Sequence, residues 1–262
     1  MPNTFFSIQI SDSPLVAVAI HHGHELRAEL RPLIGLDEAT RLREEDPLTG
    51  TWTLCAPNRI VVHRSRFEVD LNRPRHRAVY AAPEDAWGLE VWRQPLAPAI
   101  LQRSLEHYEL FYQMLDSLLS RLVGIYGRVV VYDLHSYNHR RDGDNQPPAS
   151  ACQNPEINVG TGTMNREYWA PVVDSFIRDL RAFPLKDEPL DVRENVRFRG
   201  GAMAEWIHQR YPKTVCALAI EVKKIFMDEW TGSHDPVILR GIRDALASTT
   251  DGVLHALQDV GR

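Results

Sequence analysis

Long runs of any one kind are absent from this chain. No uncharged apolar stretch reaches ten residues, which is too short to span a bilayer. No Lys/Arg block exists, and a net charge of −5 leaves no basic surface of the kind that holds a phosphate backbone. Cysteine is scarce: Cys55, Cys152 and Cys216 are odd in number and unpaired in spacing. That excludes a disulfide framework or a thiolate zinc knuckle and fits a reducing compartment, with Cys216 reading as a small core residue. The segment from Met1 to Phe6 has no basic start followed by an apolar stretch, so no signal peptide is visible. Repeats, heptads and low-complexity tracts are missing too. The expectation is a cytoplasmic protein with neither a membrane nor a nucleic-acid partner. Its 262 residues, 44% hydrophobic and 25% charged, suffice for a single α/β domain over 1–262.

What the chain does have is a set of short apolar runs that end in chemistry. Val129-Val130-Val131-Tyr132 reads as a buried strand and closes on Asp133-Leu134-His135-Ser136. Leu15–Ile20 empties into His21-His22-Gly23-His24-Glu25, and Val215–Ile220 empties into Glu221. A His or Glu at a sheet edge adds little to packing. Three strands that each end in a metal ligand or a carboxylate therefore point to a hydrolytic metal site at the carboxyl edge of a sheet.

The periodicity predicts helices over 26–33, 37–45, 100–126, 168–182, 201–211 and 236–258, and further strands at 58–62, 67–71 and 157–159. Asp37 is placed to cap the second helix and Pro47 to stop it. Helix-then-strand order requires crossover connections, hence a mixed, mostly parallel sheet flanked by helices. Residues 74–98 read as an irregular excursion that packs Trp87 and Trp92 back on the body. Residues 138–155 read as a polar loop or lid over the site, and 184–189 as a linker.

A catalytic zinc takes three ligands from His and carboxylates and leaves a position open for water. His135 is the best-placed candidate. In the His-rich loop, His22 and Glu25 have the spacing by which one loop supplies two ligands, and His21 is the alternative, with Gly23 permitting a close turn. Glu221 is the candidate base for a water proton, unless Lys223 or Lys224 takes its carboxylate. Arg66 and Arg73 flank Asp70-Leu71-Asn72 and are suited to polarise a scissile carbonyl and clamp a carboxylate.

The strings Asp70-Leu-Asn-Arg73 and Asp133-Leu-His135, with Ile220-Glu221-Val222, resemble the carboxypeptidase- and aspartoacylase-like zinc hydrolases. A fuller resemblance, to the N-formylglutamate amidohydrolase family, runs through His21–Gly23, Ser65–Arg73, Asp133–Ser136, Asn158–Thr161, Phe198–Gly201, Ala219–Glu221 and Ile225–Asp228. The resemblance implies a zinc-exopeptidase-like α/β fold, a Zn²⁺ cofactor and hydrolysis of the amide of a small-molecule N-acyl amino acid. Asn72 and Arg73 would bind the substrate; Glu221 and Arg66 would be catalytic. For the metal it implies His21, Asp46 and His135, whereas the aspartoacylase-like pattern implies His22, Glu25 and His135. A carboxypeptidase-type metallopeptidase and a non-catalytic binding module on the same fold are the alternative functions. Nothing in the pattern sets an oligomeric state.

Overall fold

The computed structural model describes residues 4–261; Met1–Asn3 and Arg262, the ends of the expected 1–262 domain, lie outside the described residues. The strands in chain order are β1 (Phe6–Gln9), β2 (Leu15–Ala19), β3 (Asn58–Val62), β4 (Val129–Tyr137), β5 (Ile157–Gly160), β6 (Pro184–Leu185), β7 (Glu188–Pro189), β8 (Val192–Glu194) and β9 (Val215–Lys223). Seven of them form one sheet in the order β1-β3-β2-β4-β9-β5-β8. β3, β2, β4 and β9 are parallel, while β1 joins β3 and β5 joins β9 antiparallel. The sheet is mixed and mostly parallel, as helix-then-strand order demands.

Every residue of β2 and β4 is buried, which explains their near-continuous apolar sequences: helices cover both faces. Alternation sorts the side chains. On one face Leu15, Val130, Tyr132, Leu218 and Ile220 meet α4 (Ala170–Ala182), α6 (Pro236–Ser248) and α7 (Thr250–Ala256). On the other, Val16, Val18, Val131 and Val215 meet α3 (Pro98–Tyr126) and α5 (Ala202–Arg210). Two short helices, α1 (Glu38–Glu44) and α2 (Thr49–Trp52), carry the chain from β2 to β3. Asp37 caps α1 through the Thr40 N–H, as expected from sequence.

Four expectations fail locally. Residues 26–33 form consecutive turns, not a helix, because Leu26 and Leu30 close a small separate cluster with Phe67 and Tyr80. Residues 67–71 are no strand: Glu68 and Asp70 are fully buried and spend their carboxylates on arginines and histidines. The terminal helix breaks at Thr249, whose hydroxyl donates to Leu246 O and lies 2.7 Å from the Tyr132 hydroxyl. The 184–189 linker is a two-stranded hairpin, β6-β7. Trp92 does fold back, donating its indole N–H to Tyr80 O, but Trp87 remains 47% exposed. No helix among the described residues is long and apolar enough to cross a membrane.

Candidate metal centre

Three segments meet at the carboxyl ends of β2 and β4. His21 follows β2, Asp46 follows α1, and His135 lies within β4, which runs on to Tyr137. Gly23 lets the His-rich loop through: a Cβ there would lie 2.1 Å from the His63 carbonyl carbon. Asp46 is placed by its own N–H, which donates to His21 O at 3.0 Å. Lys224 adds a second restraint, its ammonium donating to Arg43 O at 2.6 Å and Glu45 O at 2.8 Å. This buried lysine caps the last turn of α1 directly before Asp46. Burial lowers its pKa to about 8, with Asp46, Glu44 and Glu229 opposing.

His21, Asp46 and His135 are 2–3% exposed, and one ligand atom from each lies within 4.8 Å of the others. Asp46 Oδ2 sits 3.3 Å from His21 Nδ1 and 3.0 Å from His135 Nδ1. Tetrahedral ligands about 2.0–2.1 Å from one zinc stand roughly 3.3 Å apart. The outer nitrogens are equally constrained: His21 Nε2 lies 2.7 Å from Asp70 Oδ1, and His135 Nε2 lies 2.8 Å from Asp133 Oδ1. A carboxylate only accepts, so each Nε2 carries a hydrogen and each Nδ1 is the atom turned inward. Carboxylates that orient imidazoles from behind are the usual support of metal-ligating histidines. The donor set fits a divalent cation.

The charges argue the same way. Burial works against a charged imidazole, yet the Asp133 and Asp46 carboxylates hold His135 well above its usual pKa. Burial likewise works against ionised Asp46, and the two imidazoles keep it well below the carboxylate range. Asp70 is burdened by burial but held low by Arg66 and His21. The cluster thus holds its carboxylates ionised and calls for cations at its centre.

Beside it lies a cavity of about 380 Å³. Glu221, Arg66, Asn72 and Arg73 all line it, together with His21, Asp46 and His135. Glu221 is the cross-strand neighbour of His135 and is partly buried. Burial, with the negative charges of Asp46 and Asp133, pushes its carboxyl up to about 8 against the pull of His135 and Arg66. The two lysines beside it are engaged elsewhere, Lys223 with Asn154 O and Lys224 as described. Arg66 donates to Asp70, Tyr80 and Glu44 O, which leaves about two of its five N–H bonds uncommitted. Arg73 donates to Asp85 O at 3.0 Å and lies 3.7 Å from Asp70. Asn72 is partly a structural residue: its Oδ1 accepts the Met203 N–H and caps α5, and a Cβ on Gly201 would lie 2.2 Å from that oxygen.

The alternative ligands are not brought to this cluster. Glu25 is exposed, its backbone paired with the end of the β3 segment. His22 packs its ring against Gly50, and burial, aided by His63, lowers its pKa to about 4. Asp46→Ala should accordingly weaken metal binding by more than about 100-fold, while Glu25→Ala leaves it within about twofold. Titration with a chromophoric metal competitor checks both. A Glu25 variant that loses metal while the Asp46 variant keeps it would reverse the ligand assignment.

Sequence reasoning assigned no role to Asp133 or Asp70 and offered Lys224 only as a partner for Glu221, whereas its ammonium donates to Arg43 O and Glu45 O. The signal for Asp133 was present, because residues two apart on a strand share a face, so Asp133 must stand beside His135.

The sequence profile of the N-formylglutamate amidohydrolase family matches residues 13–227. Among solved structures, an N-formylglutamate amidohydrolase from Ralstonia eutropha JMP134 superposes with a TM-score of 0.74 at 17% identity, covering 97% of this chain and 98% of that one. A gene product of Agrobacterium tumefaciens superposes with a TM-score of 0.65 at 15% identity, over 96% and 95% of the two chains. At such identities the likeness is one of fold. No curated protein matches the sequence.

Proposed function

The chain belongs to the N-formylglutamate amidohydrolase family, hydrolases of carbon–nitrogen bonds, and from that premise we propose that it removes a formyl or other short acyl group from an N-acyl amino acid such as N-formylglutamate. The observation that carries this reading is the buried His21–Asp46–His135 group opening into a cavity that also holds Glu221 and several guanidiniums. Two imidazoles and a carboxylate suit Zn²⁺ with an open position. Bound there, the ion supplies Lewis acidity toward a carbonyl and lowers the pKa of a water.

The remaining steps belong to the side chains. Glu221 takes the proton of the attacking water as it adds to the amide carbonyl. It returns that proton to the nitrogen as the C–N bond breaks, leaving a carboxylic acid and a free amine. The unengaged N–H groups of Arg66 stabilise the charge that grows on the carbonyl oxygen. Arg73 and the Asn72 amide hold the α-carboxylate. Trp87 bears on substrate size: its ring lies 4.9 Å from the Arg66 guanidinium and 5.7 Å from that of Arg141, and all three line the cavity. Such a stack narrows the mouth, which favours small N-acyl amino acids over the peptides of a carboxypeptidase.

Metal analysis and chelation test the proposal. About one zinc per chain is expected, and removal of the metal should abolish hydrolysis of N-formylglutamate, with zinc restoring it. Full activity in protein shown to be free of transition metal would overturn it, and preference for acyl-peptides would favour the peptidase.

A further inference from the structure

A second cavity, of about 590 Å³, lies between the 74–98 excursion and the first turns of α3. Its walls are largely apolar, with Val79, Tyr80, Val91, Trp92, Leu96 and Leu105 among them. Tyr80 and Val91 are 2% and 4% exposed, so the floor is dry, while Leu101 at the rim is 37% exposed. No residue lines both this cavity and the one at the metal centre. Tyr80 stands between the two, its hydroxyl donating to Asp70 on the metal side. Apolar walls, a few polar groups and a volume of several hundred Å³ are the marks of a small-molecule site.

The walls are fixed by their own hydrogen bonds. Trp92 donates its indole N–H to Tyr80 O at 3.0 Å, which ties one wall to the other. Gly35 N–H donates to Val91 O at 2.8 Å and Arg93 N–H to Leu33 O at 3.0 Å, which pin the 90–96 wall to the body. Preformed walls spare a ligand the cost of ordering them. Four basic or acidic side chains line the cavity: Arg75, His76, Glu90 and Arg93. Arg75 is spent on Glu109, at 2.8 Å. Arg93 uses only its Nε, toward Ile34 O at 2.9 Å. Neither its guanidinium nor the Glu90 carboxylate has an ion-pair partner among the described residues. An apolar groove with one free carboxylate and one free guanidinium is complementary to a zwitterion that carries a large apolar side chain.

We propose that this cavity is a second ligand site, for a large apolar α-amino acid of the phenylalanine or leucine kind. The carboxylate goes to the Arg93 fork, the ammonium to Glu90, and the side chain among Val79, Val91, Trp92 and Leu105. Burial of the side chain supplies the affinity, and the two charged contacts set the class. Because the two cavities share no residue, such a ligand binds alongside a substrate and not in its place.

Calorimetry on the purified chain tests this without turnover, so the outcome stands whether or not the protein hydrolyses N-formylglutamate. L-phenylalanine should bind at one site per chain. It should bind about fivefold more tightly than 3-phenylpropionate, which lacks the ammonium, and than phenethylamine, which lacks the carboxylate, the worth of an exposed charge pair. Glu90→Gln should erase the preference over 3-phenylpropionate, and Arg93→Met the preference over phenethylamine. Leu101→Glu places a charge on the apolar rim at an exposed position where a helix accepts glutamate, and should weaken L-phenylalanine by more than about tenfold. Circular dichroism confirms that each variant is folded. No binding of L-phenylalanine up to about 10 mM would overturn the proposal. Binding unchanged in all three variants would put the amino acid in another cavity and overturn it equally. If Leu101→Glu weakened binding while both preferences persisted, the ligand would be held by its side chain alone, and the assignment to amino acids would fall.

Discussion

His135→Ala should lose stoichiometric zinc altogether, with affinity down by well over 100-fold, because it removes one of the three proposed ligands. The comparison that gives the number meaning is Asp133→Asn. Asp133 is not among the proposed ligands; it fixes the tautomer of His135 from behind at 2.8 Å. Changing an outer carboxylate of this kind costs about 10–100-fold in metal affinity, so losing the ligand itself must cost more. Competition with a chromophoric chelator ranks the three proteins, and circular dichroism confirms that each is folded. If His135→Ala bound zinc as tightly as Asp133→Asn, the imidazole would be no ligand. The metal-free protein should also respond: removing His135 leaves Asp46 and Asp133 with one cation fewer between them, a loss that destabilises buried carboxylates.

How much of this was legible in sequence depended on how local the cause was. β2 and the first halves of β4 and β9 were readable because strand segments covered on both faces are apolar, and Asp37 because a helix cap is decided within four residues. The turn-rich segments 26–33 and 67–71 were not, since their form follows from partners far along the chain. Glu68, for instance, is fixed by Arg27 and His107, neither of them within reach of a local pattern. Thr249 breaks the last helix for the same reason, through Tyr132.

The site divides similarly. His135 and Glu221 announced themselves by following apolar runs, although the strands continue past them to Tyr137 and Lys223. Their adjacency was beyond sequence, because it needs the β4–β9 register. Asp46 sits in an acidic run, Glu44-Glu45-Asp46, in which local chemistry does not distinguish one carboxylate from the next. The fold separates them: Glu44 pairs with Arg141, Glu45 receives Ser65 and His24, and Asp46 alone turns to the two imidazoles.

Glu221→Gln should keep zinc and substrate affinity while turnover falls by about two to four orders of magnitude, since the amide matches the carboxylate in shape but accepts no proton. The effect should fall on kcat and kcat/KM alike, as for an interaction made only on the way to the transition state. An equal loss of zinc would instead make Glu221 a ligand. A second measurement does not depend on turnover. In the metal-free protein this carboxyl is pushed from 4.5 up to about 8, by burial first and then by Asp46 and Asp133, against His135 and Arg66. Between those values the folded chain holds a proton that the unfolded chain has released. The group's contribution to stability is therefore complete below about pH 4.5 and is lost as the pH rises through about 8. Glutamine does not titrate, so denaturant melts of the chelated proteins at pH 5 and pH 8.5 should show wild type losing more stability than Glu221→Gln. Zinc should shrink that difference, because a cation beside the carboxylate favours its charged form and draws its pKa back down. Equal pH slopes for the two chelated proteins would mean that Glu221 is ionised in both folded and unfolded chains. In that case it faces water more than the cavity, and its assignment as the base would have to rest on kinetics alone.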